Sequence, residues 1–317
     1  MNDRNVQPTL TVAIAAVERD TGLSKDTLRV WERRYGFPQP ERDANGERVY
    51  PLEQLDKLRL LKRLLDQGFR PGRIIGLPVA ELQRLSEGVT AAPQAVATFA
   101  AADDLDRYLQ CLTEHRLDDL RRQLSQALLR LGLGRFVTEL VAPLTGVVGE
   151  AWSRGRLQVY EEHLYTEAVQ AILRGATATI PASGGSPRVL LTTFPQEPHG
   201  LGVLMAEAMF ALDGASCVPL GVQTPLWEIA AAARTQRVDI VALSFTPVVN
   251  PNQVVEGLAE LRAQLSPAVE IWVGGSAPVL RRRPPRDVQV LESLAGITEA
   301  VGGWRQRRAA GAVSAGA

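Results

Sequence analysis

The periodicity of the chain changes at Arg188, and that change restricts the available folds more than any other feature. Short apolar runs follow it: Arg188–Thr193 (RVLLTT), Ser216–Leu220 (SCVPL), Ile240–Phe245 (IVALSF) and Glu270–Val273 (EIWV). Helical stretches at 200–213, 225–237 and 252–265 alternate with them. Continuously apolar strands, each followed by a helix, predict a parallel doubly wound sheet with both faces covered. A Rossmann-like α/β domain is therefore expected over 188–303, with 304–317 as a disordered tail. Ser-Gly-Gly-Ser-Pro at 183–187 marks its start.

Upstream, residues 103–182 read as helical throughout. Leu105, Leu109 and Leu112, then Leu120, Leu124 and Leu128, recur at three- and four-residue steps. A central four-helix bundle is expected there, behind a weakly patterned linker at 86–102. Residues 9–85 alternate short helices with turns. A multidomain chain suits 317 residues. Net charge is zero, but residues 1–85 hold 15 Lys+Arg against 12 Asp+Glu, and the remainder 20 against 23. A basic head on an acidic body points weakly to a DNA-facing N-terminus. Cys111 and Cys217 are far apart, against a disulfide framework or a thiolate zinc site. No apolar run approaches the ~18 residues of a membrane helix, and MNDRNVQPTL has no signal core. A cytoplasmic location without a membrane partner is expected.

In the head, Val12–Asp20 reads as a helix, Gly22 as a turn, and Ser24 as the N-cap of a second helix, Lys25–Tyr35. That is a helix-turn-helix signature. Lys25, Thr27, Arg29, Arg33 and Arg34 are donors for phosphates and base edges. Asn45-Gly46 between extended arms predicts a hairpin wing with Arg42 and Arg48, followed by a long helix from about Leu52 to Gln67. Leu28 and Trp31 are expected in the core, and Glu32 beside a neighbouring arginine on the helix surface. The run TLRVWERRYGFPQPERDANGERVYP resembles the winged helix-turn-helix of the MerR family over residues 9–85. The resemblance implies promoter DNA as a partner. Thr27, Arg29, Arg33 and Tyr35 would approach it from the recognition helix, and Arg48 and Tyr50 from the wing. The long dimerisation helix usual in that family is missing, so self-association is expected from the C-terminal region.

The chain has three histidines, His115, His163 and His199. Glu197-Pro198-His199-Gly200-Leu201-Gly202 follows the first strand of the α/β domain, at the carboxyl edge where such folds bind ligands. An imidazole there can bind a transition metal, and a carboxylate two residues away can orient it. Gly202 would let a bulky ligand approach the backbone. Alone, the string also fits a capped turn. With 41 residues between Gly202 and Ser244, and 27 between Thr246 and Gly274-Gly275, it resembles the cobalamin-binding domain of methionine synthase and the mutases. That resemblance implies base-off, His-on cobalamin, with His199 as lower axial cobalt ligand oriented by Glu197. The nucleotide tail would lie near Gly202, Ser244, Gly274 and Gly275. Thr246 stands where the family has leucine, which implies altered packing of the tail.

A second constellation is Trp152-x9-Glu162-His163. Arg154-Gly155 is expected to break the helix and make its two halves antiparallel neighbours. The three side chains could then form a lid over a flat cofactor, Trp152 stacking on an adenosyl group and Glu162 accepting from its hydroxyls. The alternative is Trp152 in the bundle core and Glu162-His163 on the surface. Between a MerR head and a cobalamin signature, the pattern resembles the CarH/LitR group of photoreceptor regulators. That implies adenosylcobalamin and a dark homo-oligomer, a tetramer, bound to promoter DNA as a repressor. It also implies release when light cleaves the cobalt–carbon bond, with His163 as upper cobalt ligand afterwards. No enzymatic role is expected. One other reading is a MerR-type regulator, cobalamin-binding or cofactor-independent, without photochemistry. Another is a cobalamin-carrying methyltransferase or mutase subunit, for which no segment of ~250 residues remains to build a substrate barrel. His115 is expected on the surface, and Arg281-Arg282-Arg283-Pro-Pro-Arg286 either as a solvated loop or as a contact to a partner subunit.

Overall fold

The computed structural model describes residues 11–43, 45–66, 69–89, 102–181 and 184–315. The chain divides into two compact units, one of residues up to 95 together with 153–155, and one of the remaining residues from 96 onward.

The first unit runs β1 (Thr11–Ala13), α1 (Ile14–Thr21), α2 (Lys25–Tyr35), β2 (Glu41–Arg42), β3 (Arg48–Pro51), α3 (Leu52–Asp66), α4 (Pro71–Ile74) and α5 (Val79–Val89). Gly22 closes α1 in the left-handed region, φ 68°, which lets its N–H donate to the Glu18 carbonyl oxygen. The Ser24 hydroxyl then accepts from the Thr27 N–H at 3.1 Å and starts α2. Those two devices make the expected helix-turn-helix. The wing is antiparallel, in the order β1-β3-β2. At its tip the Asp43 carboxylate accepts the N–H groups of Asn45 and Glu47, both at 2.9 Å. β1 is too short to show a period and is legible only through its pairing with β3. Arg59 forks onto Asp20 at 2.8 and 2.9 Å and ties α3 to α1. Leu28 and Trp31 join Leu58 and Leu61 in one core.

Tyr50 overturns one expectation. It is fully buried in that core, so it is not a direct DNA contact from the wing. Burial of its large apolar ring outweighs the loss of one hydroxyl's hydrogen bonding: the phenol oxygen has no partner among the described residues. Tyr50→Phe is expected to raise the stability of the head by about 1 kcal/mol, since it removes a buried unsatisfied group. A fall in thermal midpoint would show the hydroxyl to be paired.

The second unit begins with α6 (Ala102–Thr113), α7 (Leu117–Leu131) and α8 (Leu133–Arg135). A π-helical segment, Phe136–Val141, joins α8 to α9 (Ala142–Ser153), and α10 (Val159–Ala178) follows. Because α8, the π segment and α9 form one rod, four rods make the bundle. Leu105, Leu109, Leu112, Leu120 and Leu124 are buried, as their spacing predicts, and Leu128 is half-buried. The break at Arg154-Gly155 falls where expected, and Gln158 and Glu161 form a capping box that starts α10.

The α/β part continues with β4 (Arg188–Thr192), α11 (Leu201–Leu212), β5 (Ser216–Pro219), α12 (Leu226–Thr235) and β6 (Ile240–Phe245). It ends with α13 (Pro251–Gln264), β7 (Glu270–Gly275), α14 (Val279–Arg282), β8 (Gln289–Val290) and α15 (Gly296–Ala315). The five strands are parallel, in the order β5-β4-β6-β7-β8. Alternate residues face opposite layers. Val189, Leu191, Ile240, Ala242 and Trp272 pack with α11, α15 and the bundle in one continuous core. Leu190, Val241, Leu243, Ile271 and Val273 pack with α12 and α13.

Two boundaries move. Helix α5 continues to Val89, beyond the expected end of the head at 85, and residues 90–101 of the expected linker lie outside the described residues. The expected tail at 304–317 is helical as far as Ala315. Trp304 is buried, Arg305 donates to the Ser186 and Asp213 carbonyl oxygens, and Arg307 and Arg308 pair with Glu270 and Asp239. An alanine-rich, polar sequence looked unstructured because those partners are distant in sequence; alanine itself is the best helix former. Among the described residues no helix is long and apolar enough to cross a membrane.

Candidate functional site

The chain steps from β4 outward to β5, then back across to β6, so the sheet's direction of winding reverses between β4 and β6. That switch point opens a crevice at the carboxyl ends of the strands. The loop after β4 carries Glu197 and His199, and the loop after β6 carries Thr246.

Glu197 is fully buried and saturated with donors. Its Oε1 accepts the His199 backbone N–H at 3.0 Å and His199 Nδ1 at 2.7 Å. Its Oε2 accepts the Thr246 N–H at 2.6 Å and the Thr246 hydroxyl at 2.7 Å. Burial alone would raise the carboxyl pKa, but the hydrogen bonds from His199 and Thr246 outweigh it and hold Glu197 below its ordinary value. His199 moves the other way. Its hydrogen bond to Glu197 pushes the imidazole up against the cost of burial, and the charges of Glu197 and Glu162 add to the rise. A carboxylate can only accept, so Nδ1 carries the hydrogen and the neutral ring keeps its lone pair on Nε2. The side chain is 52% exposed, so one edge of the ring is fixed and the other is open.

The loop itself is tied down by Thr193, which the sequence did not single out. Its hydroxyl donates to the Glu197 carbonyl oxygen at 2.6 Å and accepts the Gln223 N–H at 2.8 Å. Gly202 has a packing use that its place in the motif does not show. A Cβ there would stand 2.3 Å from the Ser244 hydroxyl oxygen, so the glycine admits Ser244 and lets α11 close onto β6. Ser244 and Gly274 are register partners on β6 and β7, as are Phe245 and Gly275.

Glu162 and His163 lie in the first turns of α10. The carboxylate of Glu162 accepts the Thr166 hydroxyl at 2.7 Å and is close enough to His199 to raise its pKa. His163 is 69% exposed, 3.1 Å from Glu162, and its Nδ1 donates to the Val159 carbonyl oxygen at 2.7 Å, which leaves the lone pair on Nε2. Trp152, near the end of α9, is half-buried against the bundle core. His115 is at the surface as expected, 3.4 Å from Glu161. Among the described residues no three His, Cys, Asp or Glu side chains gather into a metal cage. His199 offers one imidazole, the donor set for a metal already held by a macrocycle.

On the head, Arg33 and Arg34 of α2 are exposed. Thr27 shares a 2.8 Å hydrogen bond with Ser24, Arg29 pairs with Asp26 at 3.2 Å, and Tyr35 is half-buried. Arg48 of the wing pairs with Glu32 of α2 at 3.1 Å. Glu32 thus neutralises an arginine of the wing, not one on its own helix.

Residues 12–77 match the MerR HTH family regulatory protein domain, and residues 104–174 and 187–290 each match a B12 binding domain. The fold and site therefore define a B12-binding transcriptional regulator with a MerR-type helix-turn-helix. The HTH-type transcriptional repressor CarH of Myxococcus xanthus is 31% identical over 267 residues, covering 81% of this chain and 86% of that protein. The chain belongs to the CarH family. The repressor CarA of the same organism is 28% identical over 269 residues, 84% of this chain and 87% of its own length. The monomethylamine corrinoid protein of Methanosarcina barkeri has the same fold as the C-terminal unit, with a TM-score of 0.50 at 14% identity, over 63% of this chain and 98% of that one.

Proposed function

We propose that the chain is a cytoplasmic, light-responsive transcriptional repressor. It carries adenosylcobalamin, binds promoter DNA as a dark homo-oligomer, a tetramer, and releases it on illumination. The observation that carries this reading is the buried Glu197 clamped on His199 Nδ1, in a chain with a MerR-type head. When bound, adenosylcobalamin supplies a cobalt–carbon bond that light cleaves. The residues present suit that group. His199 would offer its Nε2 lone pair to cobalt, with Glu197 fixing the tautomer. Ser244, Thr246, Gly274 and Gly275, at the carboxyl ends of β6 and β7, would lie beside the nucleotide tail, with Gly202 packed against Ser244. Glu162 would accept hydrogen bonds from sugar hydroxyls, and Trp152 would give the adenine an aromatic face. His163, one residue from Glu162, holds a second imidazole in reserve for the metal. Occupancy beside Glu162 and Trp152 biases a two-state arrangement of the bundle. Thr27, Arg29, Arg33, Tyr35 and Arg48 engage DNA, and joined heads gain effective concentration on a promoter.

Size-exclusion chromatography with in-line absorbance, on protein mixed with adenosylcobalamin, tests this. A coloured dark oligomer that shrinks on illumination is the expected result. Bound colour without a change of size would leave a cobalamin regulator of another kind. The head has its own test: Arg33→Ala is expected to weaken DNA binding evenly across sequences. It should reduce the slope of log affinity against log salt by about 1, read by fluorescence anisotropy.

A further inference from the structure

We infer that Thr246 is a positioning residue for His199: its hydroxyl, with its backbone N–H, fixes the Glu197 carboxylate that orients the cobalt-binding imidazole. The inference rests on the cobalamin reading and adds to it a part that Thr246 plays through its side chain as well as its backbone. An aliphatic side chain at this position would leave only the backbone donor. Thr246 presents two donors to one carboxylate oxygen, the N–H at 2.6 Å and the hydroxyl at 2.7 Å. The Val248 N–H lies 3.4 Å from the same hydroxyl oxygen and occupies a lone pair, which directs the hydroxyl hydrogen toward Glu197. The hydroxyl is also 3.3 Å from His199 Nδ1, so all three groups meet at one point. A β-branched side chain holds this direction with little rotational freedom. Ser244, the hydroxyl two residues earlier, is turned against Gly202 instead. Glu197 is therefore gripped on Oε2 by Thr246 and on Oε1 by His199. Releasing Oε2 lets the carboxylate swing and loosens the ring.

Outer-sphere partners of a metal-bound histidine typically contribute 10–100-fold in metal affinity. Thr246→Val keeps the shape and the backbone donor and removes only the hydroxyl. It is expected to bind cob(II)alamin about 10-fold more weakly. The nitrogen splitting that a histidine ligand imposes on the electron paramagnetic resonance signal should also shrink, which a purely packing role for Thr246 would not cause. Thr246→Ser is expected to restore both. Circular dichroism confirms that each variant is folded. A folded Thr246→Val protein with unchanged affinity and splitting overturns the inference, as does a folded Thr246→Ser protein no better than the valine variant. If the wild type binds cobalamin without nitrogen splitting, the His199 assignment itself fails, and that outcome is distinct from the other two.

Discussion

His199→Ala is expected to bind cobalamin ~100-fold or more weakly and to lose the His-on absorption spectrum entirely, because loss of the ligand should exceed the 10–100-fold cost of disturbing its outer-sphere partner. The substitution removes the Nε2 lone pair and leaves Glu197 buried with one donor fewer. Its remaining partners, the His199 backbone N–H and both donors of Thr246, keep the loop in place, so a folded apo-protein is expected. The wild type should show a pH dependence that the variant lacks. Its imidazole is held above the ordinary value by Glu197, and cobalt must displace a proton from it. Coordination therefore weakens as pH falls through that raised pKa and strengthens as pH rises through it. In the apo-protein the sign reverses. The raised pKa adds stability that is fully present below the unfolded-state value and is lost as pH climbs through the folded one. Absorbance titrations between pH 5 and pH 9 of both proteins, with thermal melts of the apo forms, read the two effects separately. An alanine variant that keeps the wild-type affinity and pH profile would remove His199 from the metal.

The sequence displays what depends on neighbours along the chain. Apolar strands, helical spacing, Gly22 beside Ser24, and the break at Arg154-Gly155 are local physics, and each lies where the pattern places it. The Glu197-x-His199 pair was legible for the same reason: two residues apart, its atoms have few ways to avoid meeting. What stayed hidden needs partners far away. Thr246 meets Glu197 across 49 residues, Arg48 meets Glu32 across 16, and Arg305 reaches Ser186 across 119. Tyr50 was misread as a DNA contact because a wing strand seen alone has no inside. The fit of Ser244 onto Gly202 was hidden because the two lie on different elements. Family resemblance located these residues; only the packing says what each one touches.

Gly275→Ala should be the most damaging single-methyl change in the site, whereas Gly274→Ala next to it should be nearly harmless to the fold. Gly275 has φ 107°, outside the range that side chains adopt readily, and a Cβ there would stand 2.2 Å from the Phe245 carbonyl oxygen and 2.9 Å from its nitrogen. Both are backbone atoms of the register partner on β6, so neither can swing away as a flexible side chain could. The conformational strain alone costs about 1–3 kcal/mol, and relief of the clash requires parting the ends of β6 and β7. A loss of roughly 3 kcal/mol corresponds to a fall of about 6–12 °C in the thermal midpoint of a unit this size. Phe245 precedes Thr246, so displacement there also pulls the Thr246 N–H off Glu197 and weakens cobalamin binding. At Gly274 an added Cβ meets only the Leu291 carbonyl oxygen at 3.7 Å, an ordinary contact, and alanine costs a strand less entropy than glycine. Melting and cobalamin titration of the two variants therefore separate the roles of the doublet. If Gly274→Ala melts like the wild type yet loses cofactor, Gly274 faces the ligand, while Gly275 holds the strand end from which Thr246 reaches Glu197.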